Sequence, residues 1–125
     1  DRGPASVSVL SGDVHHSYAA RADFTGEPTA RVHQLVCSPV HNYVPAFVKP
    51  AFRLGWSPRA ARITRRWARR HGAPTLPMSW RNLSGPLFGN TIATLNTKGR
   101  NADVVFEQPR DDGRLSTVTR IALTD

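Results

Sequence analysis

The sequence predicts an α+β chain, mainly β-strands with one arginine-rich helix over residues 58–71. Three observations carry that reading. Short runs that alternate apolar and small polar residues lie at both ends of the chain, each closed by turn residues. One long segment repeats apolar residues at helical steps between a clear start and a clear stop. The length, 125 residues and 13.8 kDa, suits one domain, 1–125, or a fragment of one, and is short for two.

The elements follow in order. Ala5-Ser-Val-Ser-Val-Leu-Ser11 alternates and then meets Gly12-Asp13, a strand running into a turn. Residues 17–24 make a second short strand, closed by Thr25-Gly26-Glu27-Pro28. Arg31–Cys37 is a third, ended by Ser38-Pro39. Residues 39–56 hold three prolines among aromatics and read as irregular, partly buried chain. Ser57 is a natural N-cap, and Pro58 at the first helical position loses no hydrogen bond. Gly72 stops that helix, and Pro74 and Pro77 forbid its continuation. Ala60, Ile63 and Trp67 form a narrow apolar stripe, expected to pack the helix through Ile63 and Trp67. Residues 73–89, rich in Pro, Gly and Trp, read as a packed loop. Asn90–Leu95, Ala102–Glu107 and Leu115–Leu123 read as strands, the last two separated by the strong turn signal Pro109-Arg-Asp-Asp-Gly113. Val104, Phe106, Leu115, Val118 and Ile121 are the candidate core positions of this tail.

The charge is uneven. Seventeen basic and nine acidic residues give +8, and fifteen of the bases are arginine. Six of these lie between Arg59 and Arg70; without them the balance is eleven bases against nine acids, or +2. The arginine bias fits GC-rich coding DNA as well as an anion-binding surface, and the arginines of the helix read first as a solvated face and next as a phosphate-attracting surface beside an active site. No apolar run approaches the ~18 residues that suggest a membrane span. Cys37, the single cysteine, permits no intrachain disulfide, and a P-loop, a GxSxG elbow and a GxGxxG fingerprint are all absent.

The segment Leu10-Ser-Gly-Asp-Val-His-His-Ser-Tyr18 is the most informative. Residues two apart in extended chain point to the same side, so Asp13 and His15 project together while His16 turns away. A carboxylate and an imidazole at a strand end suit a metal ligand pair, or half of a centre with two ions. Two ligands do not hold a catalytic ion, so further donors must come from elsewhere. The same residues also fit a plain Ser-Gly-Asp turn with surface histidines. Among the other histidines, His33 reads as a hydrogen-bonded structural residue and His41 lies in the proline-rich loop. His71 sits at a helix end where a cation suits the dipole.

At Val9-Leu-Ser-Gly-Asp-Val-His-His-Ser-Tyr18 the chain resembles the C-terminal part of a PhoD-like alkaline phosphatase, within the calcineurin-like metallophosphoesterases. Gln34–Pro39, Gly89–Ala93 and the last strands fit the same tail as pattern. The resemblance implies a four-layer α/β/β/α sandwich, of which this chain forms the C-terminal part. It implies Asp13 and His15 as metal ligands, from Gly12-Asp13-Val14-His15, with His16 a neighbour in the pocket. It further implies two divalent or trivalent metal ions (iron with calcium, or manganese or zinc) and hydrolysis of phosphate esters. The family's upstream metal motifs have no counterpart here, and the only methionine is Met78. The expectation is therefore a piece of a longer phosphohydrolase, inactive in isolation. Its incomplete sandwich face would be covered by the rest of the parent chain or by a second copy. The alternative is a small basic module that binds nucleic acid or another polyanion through Arg59–Arg70. The dispersed tryptophans lack the stacking platform of a single-strand binder, which disfavours nucleic acid.

Overall fold

The computed structural model describes residues 3–12, 15–26, 30–37 and 44–124. Among these it is α+β, mostly strands in two sheets, with two helices. Strands β1 (Ser6–Ser11), β2 (Ser17–Phe24), β3 (Arg31–Val36) and β4 (Met78–Leu87) form the first sheet in the order β1-β3-β2-β4. β1 runs parallel to β3, and β2 is antiparallel to both β3 and β4. Helices α1 (Lys49–Gly55) and α2 (Pro58–Arg70) lie between β3 and β4 in the chain. Strands β5 (Ile92–Lys98), β6 (Asn101–Pro109) and β7 (Leu115–Ala122) form a separate antiparallel sheet with β6 in the centre.

The two sheets pack face to face because alternation leaves each an apolar side. Ala19 and Leu35 from the first sheet share a buried cluster with Val104, Phe106 and Leu123 from the second. Leu83, Leu87, Ala93, Ala102 and Ile121 close around it. Cross-strand pairing puts Ala19 opposite Leu35, and Phe106 opposite Ala93, so these residues share their faces. Tyr18 and Asn82, on the other face of the first sheet, meet the helical segment. The Tyr18 ring lies 4.6 Å from that of Trp56, and the Asn82 amide donates to the Trp56 carbonyl at 3.1 Å. The expected tail strands are present, and Val104 and Phe106 are buried as read.

Several expectations change. Residues 39–56, read as irregular, contain α1; Pro50 falls in its first turn, where the missing N–H costs nothing. The segment 73–89, read as a loop, contains β4. That strand lies at a sheet edge, which tolerates proline, and its pairing with β2 shifts register around Ser84–Leu87. There Gly85 has φ 104°, and a Cβ on it would stand 2.8 Å from the Ser17 carbonyl oxygen. Only glycine fits so close an approach.

The helix α2 starts as predicted. The Ser57 hydroxyl oxygen accepts from the Ala60 amide at 3.1 Å, and Gly72 follows the helix at φ 83°. Its packing is the reverse of the expectation. Ile63 is 70% exposed and Trp67 64%, and α2 buries none of its residues fully. It instead leans on the side that carries Ala61, Arg65 and Ala68, whose residues line grooves against Trp80. That side carries the small residues Ala61 and Ala68, and the large side chains of Ile63 and Trp67 lie opposite, in solvent. In the last sheet Leu115 and Val118 are exposed, not core. Val118 lies three residues from the inward Ile121 and so falls on the other face by alternation, and the extra residue between the pairings Phe106↔Thr119 and Glu107↔Thr117 shifts the register so that Ser116 replaces Leu115 on the inner face.

Candidate functional site

The strand order explains where the Ser11–Ser17 connection sits. β3 lies between β1 and β2, so the chain leaving β1 must cross the end of β3 to enter β2. The last pairing of the parallel ladder is Ser11↔Val36, and the Cys37 amide donates to the Ser11 carbonyl at 3.1 Å. A Cβ on Gly12 would stand 3.1 Å from the Cys37 carbonyl oxygen, tighter than ordinary contact. Glycine thus begins the crossing because backbone lies directly against it. Ligands in sheets with parallel strands gather outside the carboxyl ends of those strands, and this connection lies there.

Of the two residues expected to share a metal, Asp13 lies outside the described residues, as does His41. His15 is described. It is exposed, at the mouth of the crossing, and has φ 59°. The left-handed region is uncommon for a residue with a Cβ, though His enters it more readily than most. Residues held there cluster at functional sites.

His16 points the other way. It is only 7% exposed. Its ring lies 5.5 Å from that of Tyr18, 5.2 Å from Phe52, 5.8 Å from Trp56 and 6.3 Å from Phe88. The adjacent histidines therefore do different work: His16 anchors the connection in an aromatic floor, and His15 is presented above. Burial also pushes the Tyr18 hydroxyl above its ordinary pKa, so it stays protonated in this floor. The Lys49 ammonium stands 5.7 Å from the Phe88 ring centroid and gives the floor a positive edge.

A second group ties the end of β3 to the other sheet. The Cys37 thiol donates to the Thr91 carbonyl at 3.1 Å. The Gln108 amide donates to the Thr91 hydroxyl at 3.1 Å and to the Phe88 carbonyl at 3.0 Å. Thr91 in turn donates to the Gly89 carbonyl at 3.2 Å. The connection thus rests on both sheets, which fixes its base. Cys37 is half-buried, and its thiol is engaged by the hydrogen bond to Thr91.

Sequence reasoning did not place Lys49, Phe52 or Phe88 here. The aromatic content of residues 39–56 hinted at Phe52 and Trp56; nothing local marked Phe88, which arrives from the far end of β4. His33, read as hydrogen-bonded, is buried, but its Nδ1 has no hydrogen-bond partner. Burial, then Arg21 and Arg31, hold its pKa below the usual histidine range. It is a neutral packing residue two strand positions from Leu35. Arg21 instead pairs with Asp23 at 2.8 Å, and Arg81 joins at 2.9 Å. Burial alone would raise the Asp23 pKa, but the two guanidinium hydrogen bonds outweigh it and lower it.

The described residues form no group of three or more His, Cys, Asp or Glu able to hold a metal. In this connection they supply one exposed donor, the His15 imidazole, which is too few for a catalytic ion. No protein-family model, curated protein or solved structure matches the chain.

Proposed function

We propose that the chain is the C-terminal portion of a metal-dependent phosphohydrolase, to whose dinuclear centre Asp13 and His15 contribute ligands. The observation that carries this reading is the contrast at the end of β1. His15 is exposed at φ 59° while its neighbour His16 is sunk among four aromatic rings. A plain turn needs no such division between adjacent histidines. A ligand loop does, because an imidazole donor must be aimed and its backbone held.

Within this reading each residue of the chain has a task. Gly12 lets the connection cross the Cys37 carbonyl. His16 and its aromatic floor resist rotation of the loop, and Lys49 adds positive charge on the side of Phe88. The remaining metal donors, and the group that protonates the leaving alcohol, belong to the rest of a longer chain. The two packed sheets with helices outside the first would be three layers of an α/β/β/α sandwich, completed by that chain or by a second copy. The strand edge open to it is β1, where Val7, Val9 and Leu10 are exposed. Bound metal ions would polarise the phosphate ester and supply hydroxide.

Metal content and turnover of the complete gene product test the proposal. Asp13→Asn and His15→Ala should each lower bound metal and cut hydrolysis of a phosphate ester by on the order of 100-fold or more. His16→Ala should instead lower thermal stability. Unchanged metal content and turnover in both ligand variants would overturn the assignment.

A further inference from the structure

The exposed side of α2 is apolar and cationic at once. With ~100° per residue, Arg59, Arg66, Trp67 and Arg70 all fall within roughly 60° of Ile63. Ala61, Arg65 and Ala68 fall on the opposite side, which is the side that faces β4. Ile63 and Trp67 are therefore directed away from the molecule, as their exposure shows. No acidic residue occurs between Pro58 and Arg70. The Trp67 ring lies 4.4 Å from the His71 ring, and the His71 Nδ1 is 2.9 Å from the Trp67 carbonyl oxygen, which steadies the indole at the end of the helix.

We propose that this face of α2 docks on an anionic lipid bilayer, lying flat in the headgroup region. The chemistry fits on both counts. An interfacial helix inserts a few apolar side chains, with tryptophan favoured at headgroup depth, and sets its cations among the lipid phosphates. Arginine stems cover the apolar side chains while the guanidiniums reach phosphate level. A nucleic-acid backbone would use the arginines equally, but it offers Ile63 no apolar surface, and burying Ile63 there would gain nothing. A solvated helix face has no use for Ile63 and Trp67 among the arginines. The surface is short, so binding depends on anionic lipid and weakens with salt. The inference is independent of the phosphohydrolase reading, which concerns the Ser11–Ser17 connection.

Co-sedimentation with phosphatidylcholine vesicles, with and without phosphatidylglycerol, tests it. The chain should bind the anionic vesicles and not the pure phosphatidylcholine ones. Each arginine near an anionic surface contributes about fivefold, so Arg59→Gln/Arg66→Gln/Arg70→Gln should weaken binding on the order of 100-fold. Removing the same charge elsewhere, with Lys98→Gln/Arg110→Gln/Arg114→Gln, should cost far less. Ile63→Ser/Trp67→Ser should weaken binding about tenfold or more. It should also abolish quenching of tryptophan fluorescence by bromine-labelled acyl chains. All these positions are exposed, and circular dichroism checks that the variants fold. Equal binding to both vesicle types, equal loss in the two charge variants, or tighter binding to duplex DNA that ignores the Ile63/Trp67 change would each overturn the proposal.

Discussion

The inner face of the β5–β7 sheet and the outer face of α2 carry the same kind of pattern, and they meet opposite fates. Val104 and Phe106 alternate along β6 and vanish into the contact between sheets. Ile63 and Trp67 repeat at helical spacing and stand in solvent. Periodicity identifies which side of an element is apolar. Whether that side is covered depends on which side the rest of the fold meets. On α2 the side with Ala61 and Ala68 faces Trp80 of β4 across open grooves, and Ile63 and Trp67 lie on the opposite side.

Mutational cost is the sharpest way to separate these two faces. Phe106→Ala should destabilise by about 3–5 kcal/mol, since it empties a fully buried site between the sheets. Denaturant midpoints measure this directly. The pH dependence of the same midpoints should carry the mark of His33, on the inward-facing side of the first sheet. Its folded pKa is lowered, so above about pH 6.5 neither the folded nor the unfolded state binds its proton. Below that value the unfolded chain gains a proton that the native state refuses. Stability then falls with decreasing pH, by at most about 1.4 kcal/mol per pH unit from this group, until the folded pKa is passed. His33→Leu should flatten that part of the profile; an unchanged slope would place the lost protons on other groups.

The smaller effects belong to α2. Ser57→Ala removes the capping oxygen from the Ala60 amide and should cost about 1 kcal/mol. Trp67→Ala, despite deleting a far larger side chain, should change stability by no more than about 0.5 kcal/mol. A loss comparable to that of Phe106→Ala would mean that Trp67 is covered in solution after all.

Most strands were legible because each is short, alternating and bounded by turn residues: Ser6–Ser11, Arg31–Val36 and Asn101–Pro109 need no tertiary information to find. The start and stop of α2 were equally local, in Ser57-Pro58 and Gly72. What failed was local evidence read too literally. Pro50 and Pro86 looked like breakers, yet one stands in the first turn of a helix and the other in an edge strand, positions where a missing N–H goes unpunished. Of the candidate site, the spacing in Gly12–His16 foretold that His15 and His16 would diverge. It had no means of showing Phe88 or Lys49 beneath them, because those contacts join segments more than thirty residues from the motif.

The position of β1 at the border of its sheet has a mechanical consequence. Among the described residues it pairs with one strand, β3, whereas β2 is gripped from both sides. Peeling β1 away would leave the β3–β2–β4 ladder whole but would slacken the tether that begins at Gly12. Transient local opening of this one strand, far cheaper than global unfolding, would therefore be enough to release His15 from its presentation. Any additional strand that zippers onto the free side of β1 would suppress that breathing and hold the imidazole in place.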